Sequence, residues 1–149
     1  MTPRAVIHIT STVCGADYIT LSRDVSRLSR SLGALGEIRW YVVESNSPNP
    51  ETLRALEHIA QKVDRFRYLS LGQDSAGYRT ERIARARNAC LDLVLATLED
   101  SELNNHVLVV ADLDGINTRV RLTPEVFARV VRDRVAVFPI QLGPYYDIS

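Results

Sequence analysis

The chain is expected to fold as an α/β domain, an αβα sandwich on a mostly parallel sheet. Three observations predict this. Apolar runs of strand length alternate with amphipathic stretches of helical period from residue 5 to residue 140. The later strand-like runs are almost continuously apolar, as strands covered by helices are. Polar clusters follow the strand-like runs, where the loops of a parallel sheet line up along one edge.

The elements follow in order. Residues 5–10 are β-rich and apolar and form the first expected strand. Residues 18–32 place Leu21, Val25, Leu28 and Leu32 at helical spacing, and Gly33 and Gly36 mark the end of that helix. Residues 38–43 are the second strand. Residues 50–63 are a helix with Asn49 as its N-cap and Pro50 at its first position. Residues 66–71 are the third strand. The longest helix is expected over 81–98, with Thr80 as cap. Residues 106–111 form a strand expected to be buried on both faces. Thr123-Pro124-Glu125 opens a further helix to about residue 133, and residues 135–140 close the series as a last strand.

Composition bounds the function. The 149 residues suffice for one domain, 1–149, with a real core. A hydrophobic fraction of 46%, a charged fraction of 24% and a net charge of zero are those of an ordinary globular chain. No nucleic-acid partner is expected from that balance. Lys62 is the single lysine, so nearly all the basic charge is arginine, which suits phosphate but is explained as well by composition bias. Cys14 and Cys90 have neither metal-ligand nor redox spacing, and both are expected to be reduced, Cys90 in a helix core and Cys14 in a loop. The start of the chain runs straight into a strand without a secretory pattern, and no apolar run has membrane-spanning length. A cytoplasmic location is therefore expected, with membrane attachment only through a partner.

The most informative motif is Asp112-Leu113-Asp114-Gly115, directly after the strand at 106–111. Side chains alternate along extended backbone, so Asp112 and Asp114 are expected to point the same way. Two carboxylates there repel unless a cation or proton lies between them. A hard divalent cation, Mg²⁺ or Mn²⁺, is the expected occupant, since it also grips substrate phosphates. The other strand ends are polar too: Thr10-Ser11-Thr12, Glu44-Ser45-Asn46 and Gln73-Asp74, with Asn117 after the acidic motif. Hydroxyls, amides and carboxylates on one edge suit a base, a ribose and a metal, although loops after strands are commonly polar. In the 81–98 helix, Arg82, Arg85, Asn88 and Asp92 are expected on one polar face, with Arg85 simply solvated. Arg87 is expected on the apolar stripe with Ile83, Cys90, Leu91 and Val94, where it must snorkel, meet an anion or form an ion pair. His8, His58 and His106 are read as structural, and no residue stands out as a catalytic base.

Glu81-Arg82-Ile83 followed by Ala86-Arg87-Asn88, and then an apolar strand ending in Asp-x-Asp, resembles GT-A-fold glycosyltransferases. Among these it is most similar to the cryptococcal capsule-associated α-1,3-mannosyltransferase group. Glu44-Ser45-Asn46-Ser47 and Gly143-Pro144-Tyr145-Tyr146-Asp147 add to the likeness, which runs over most of the chain. The resemblance implies a GT-A-like, Rossmann-like fold and transfer of a sugar from a GDP- or UDP-linked donor with Mn²⁺ or Mg²⁺. It implies that Asp112 and Asp114 hold the metal, with Asp112 toward the ribose or donor sugar. Thr10, Ser11, Glu44 and Asn46 would lie near base and ribose, and Arg82, Arg87 and Asn88 would steady the donor. Tyr145, Tyr146 and Asp147 would begin the acceptor side. Members of that group continue past the Tyr-Tyr-Asp segment, so this chain is expected to be short at its carboxyl end. It would act on an unknown acceptor with a second copy or a completing chain.

Two other readings use the same residues. One is a non-catalytic nucleotide-sugar-binding or partner domain. The other is a haloacid-dehalogenase-type phosphatase, with Asp112 as nucleophile and Asp114 as acid/base. That family carries the motif near its amino terminus and a lysine downstream, whereas no lysine follows Asp114 here.

Overall fold

The computed structural model describes residues 5–75, 77–98, 105–115, 123 and 125. They form a Rossmann-like αβα sandwich. Its elements are β1 (Ala5–Val13), α1 (Tyr18–Gly33), β2 (Gly36–Glu44), α2 (Glu51–Lys62), β3 (Phe66–Ser70), α3 (Arg79–Leu95) and β4 (His106–Val110). The four strands are all parallel, in the order β3-β2-β1-β4. The helix and strand expected after residue 122 lie outside the described residues.

Alternation along the strands sends side chains to two layers. Ile7, Ile9, Val13, Trp40 and Val42 pack with Leu21, Val25, Leu28 and Leu32 of α1 and with Ala55, Leu56 and Ile59 of α2. This is the main core, and the Trp40 indole also donates to Ser29 Oγ at 3.2 Å. On the opposite face, Val43 packs with Ala86 and Cys90 of α3. Burial raises the Cys90 thiol above its ordinary pKa, while Cys14 is exposed in the loop after β1.

Several boundaries differ from the sequence expectation. β1 continues to Val13 because β2 pairs with it through Val13↔Glu44. α1 is capped by Asp17, whose carboxylate accepts from the Thr20 amide at 2.8 Å. α2 begins at Glu51 rather than Pro50, although Asn49 Oδ1 does accept from the Glu51 amide at 3.1 Å. α3 begins at Arg79 and not after Thr80. Glu81 folds back onto the Tyr78 amide at 3.0 Å, and that contact makes Tyr78 the cap. β4 was expected to be buried on both faces. It is the edge of the four-stranded sheet among the described residues, and Leu108 and Val110 are exposed because α3 covers β1 and β2 rather than β4.

No helix among the described residues is long and apolar enough to cross a membrane.

Candidate functional site at the carboxyl edge

The strand order creates one crevice by topology alone. From β1 the chain moves to β2 across the α1 face, and from β3 it returns past β1 to β4 across the α3 face. β1 and β4 are neighbours, so the strand order turns back between them. Open parallel sheets bind ligands outside the carboxyl ends of the strands at such a reversal. The segments that reach this crevice are residues 14–17 after β1 and residues 111–115 after β4.

The acidic motif is built into that position. The Ala111 amide donates to the Thr10 carbonyl at 3.0 Å, carrying the β1–β4 ladder one step past the strand. Leu113 is 2% exposed and sits in the α1-side core, whereas Asp112 and Asp114 are exposed. A buried leucine between two exposed aspartates is extended alternation anchored by its apolar member. Asp112 and Asp114 thus stay at the surface on either side of a core residue.

A residue overlooked in the sequence holds the far end of the motif. Asp24 of α1 is fully buried, and its Oδ2 accepts from the Gly115 amide at 2.8 Å. Its Oδ1 has no hydrogen-bond partner among the described residues. Gly115 has φ of 92°, a backbone state that a side chain rarely adopts, and the turn follows directly on Asp114. The available signal was an aspartate three residues after Leu21 and one before Val25, inside the apolar stripe of α1. Asp24→Ala is expected to cost about 1–3 kcal/mol, through the lost bond and the buried amide left behind. It should also speed hydrogen exchange at the Gly115 amide. Unchanged melting together with unchanged exchange at Gly115 would show that Asp24 does not anchor the loop.

Two carboxylates do not make a closed metal cage. Among the described residues no group of three or more His, Cys, Asp or Glu side chains could hold a metal ion. An exposed pair does fit a hydrated Mg²⁺ or Mn²⁺ ion, which keeps several waters and takes one or two carboxylates together with substrate phosphates.

The expected ligands on β1 and β2 are placed differently from their prediction. Thr10 and Ser11 are interior strand residues, 3% and 2% exposed, because β1 runs on past them. The Thr10 hydroxyl faces the Val109 carbonyl at 3.4 Å. Thr12 is half-buried and is the β1 hydroxyl nearest the edge. Glu44 is also buried, and its two oxygens accept from the Ser47 amide at 2.9 Å and the Ser70 hydroxyl at 2.5 Å. It ties the end of β3 to the loop after β2. Asn46 takes a left-handed conformation with φ of 58°, and its Oδ1 accepts from the Asp74 amide at 2.7 Å. Gln73 Nε2 donates to the Ser47 carbonyl at 2.5 Å. Glu44, Asn46 and Gln73 therefore shape the edge loops with the very groups that were expected to meet a ligand.

The arginines of α3 are also redistributed. The sheet-facing stripe comprises Ala86, Cys90 and Val94 with Ala89 and Leu93, and Arg82 lies one turn before Ala86. Arg82 is accordingly half-buried, and its guanidinium donates to the Gly77 carbonyl at 3.2 Å. Arg87 is exposed and does not sit on the buried stripe. Arg85, expected to be simply solvated, pairs with Asp74 at 2.7 Å on the β3 side. Residues two apart on a helix point in nearly opposite directions, so Arg87 leaves α3 on the flank opposite to that of Arg85. Asn88 is exposed.

His8 and His106 are remote from this edge, whereas the His58 ring lies 4.9 Å from that of Tyr18, the first residue of α1. His8 and His106 contact each other at 2.9 Å, and His106 is the first residue of β4, roughly 20 Å of strand before Asp112. Tyr145, Tyr146, Asp147 and Asn117 lie outside the described residues. No protein-family model and no curated protein matches the chain.

Proposed function

We propose that this chain binds the donor of a glycosyl transfer reaction, a nucleoside diphosphate sugar, with Mg²⁺ or Mn²⁺ at Asp112 and Asp114. The observation that carries the reading is the placement of this acidic pair: exposed, locked by Leu113 between them, and set at the reversal of strand order. The resemblance of the Arg-Asn helix and the Asp-x-Asp strand end to GT-A glycosyltransferases supports the same ligand class. When bound, the metal would neutralise the diphosphate that leaves with the nucleotide. Arg87, exposed on α3 on the flank opposite to Arg85, would supply a second positive charge to that diphosphate. Thr12 and the loop at residues 14–17 replace Thr10 and Ser11 as the reading's contacts from β1. Glu44 and Asn46 act one step back by holding the loops in place. Transfer further requires an acceptor held in line with the donor, and Tyr145, Tyr146 and Asp147 are the residues proposed for that side.

Calorimetric titration with UDP- and GDP-sugars, with Mn²⁺ and then with chelator, tests the proposal. Binding of at least one donor in Mn²⁺, lost on chelation, is expected. Equal affinity in both conditions, or no binding of any nucleotide sugar, would overturn it.

A further inference from the structure

At the opposite end of the sheet from the aspartates, a cavity of about 290 Å³ is lined by Arg39, Tyr41, Arg65, Arg67 and Thr97. Strand register explains how three guanidinium groups come together. Tyr41 pairs with Arg67 across β2 and β3, and one residue before the Trp40↔Phe66 pair stand Arg39 and Arg65. All four side chains fall on the α3 face, beside the end of that helix. Like charges directly opposite on neighbouring strands are destabilising unless something of opposite charge lies between them.

The chain compensates this charge only in part. Glu37 Oε1 accepts from Arg39 Nε at 2.7 Å and, through the same oxygen, from Arg65. Asp64 is 3.7 Å from Arg65 but 95% exposed, so it neutralises little. Arg67 has no ion pair among the described residues. Arg65 is held in a left-handed conformation, φ 56°, by its carbonyl, which accepts from the Trp40 amide at 3.0 Å. The Tyr41 and Thr97 hydroxyls, 2.9 Å apart, add neutral hydrogen-bonding capacity to the wall.

The geometry points to a second anion site here, separate from the metal-dependent edge, that takes the phosphate or diphosphate group of a small molecule. Arginine forks suit phosphate oxygens, and two or three guanidinium groups on one group give both charge balance and orientation. The site needs no metal, which distinguishes it from the pair at Asp112 and Asp114 and makes it independent of the function proposed above.

The test is a titration of the full chain with inorganic phosphate and with pyrophosphate in metal-free buffer at constant ionic strength, followed by amide NMR. Shifts centred on Arg39, Tyr41, Arg65, Arg67 and Thr97 are expected. Arg67→Gln, an exposed change that leaves the core intact, should weaken binding about tenfold or more. No response at these residues, a response confined to the carboxyl edge, or unchanged affinity in Arg67→Gln would each overturn the proposal. The sequence also runs on from Leu98 into Glu99, Asp100 and Glu102, which lie outside the described residues. A response seen only when these three are changed to Gln, Asn and Gln would show the chain's own carboxylates to be the occupant, and would equally overturn it.

Discussion

Asp114→Asn is expected to abolish metal-dependent nucleotide-sugar binding, weakening it by at least about 100-fold (about 2.7 kcal/mol), while leaving thermal stability unchanged to within about 0.5 kcal/mol. The separation of effects follows from position. Asp114 is exposed beyond the end of β4, whereas its neighbour Leu113 is in the core. Asparagine keeps the shape and one oxygen but removes the charge that a hard cation requires. Asp112→Asn should act in the same direction. Calorimetry in Mn²⁺ reads the affinity and thermal unfolding reads the stability. Full binding by Asp114→Asn would remove the metal from the proposed site. A large loss of stability in that variant would mean that the aspartate serves the fold instead.

Acid should destabilise the protein through His8, by up to about 3 kcal/mol between pH 6.5 and about pH 4. His8 is 1% exposed in the middle of β1, stacked on Tyr41 and on His106, and its Nδ1 has no hydrogen-bond partner. Burial, then His106 and Arg39, lower its pKa to about 4 from 6.5, with Glu37 opposing. The folded pKa is the lower one, so between the two values the unfolded chain binds more protons and stability rises with pH. The contribution is complete above pH 6.5 and is lost as pH falls through the folded pKa. Tyr41, stacked on His8, spends its hydroxyl on that of Thr97 rather than on the imidazole. His8→Phe keeps a ring in the stack and removes the titrating group. The difference in unfolding free energy between wild type and His8→Phe should therefore change with pH across this window. Parallel pH curves would show that His8 is not the group responsible.

Much of the layout was legible in local pattern. The stripe Leu21, Val25, Leu28, Leu32 predicts α1 and its buried face, because a period near 3.6 leaves no other way to hide those side chains. The alternation of strands and helices predicts the parallel sheet, and the spacing of Asp112, Leu113 and Asp114 predicts which members of that triplet turn outward. Thr10 and Ser11 were misplaced because the strand continues only by virtue of its pairing with β2, and pairing partners are not written in β1 itself. Arg87 was misplaced because a helix with apolar residues on several sides does not say which side meets the sheet.

Periodicities of a few residues were enough to foresee the α/β class, the order of the elements as far as β4 and an outward-turned acidic pair after it. Long-range packing, in contrast, settled that Glu44 and Asn46 spend their polar groups on neighbouring loops. It alone brought Asp24 to the Gly115 amide across 91 residues, and only strand register set Arg39, Arg65 and Arg67 around one cavity. The reason is common to all three. A hydrogen bond or a shared charge between distant segments depends on which strands become neighbours and in what register, and that is settled by burying the whole apolar surface at once rather than by any single stretch of chain.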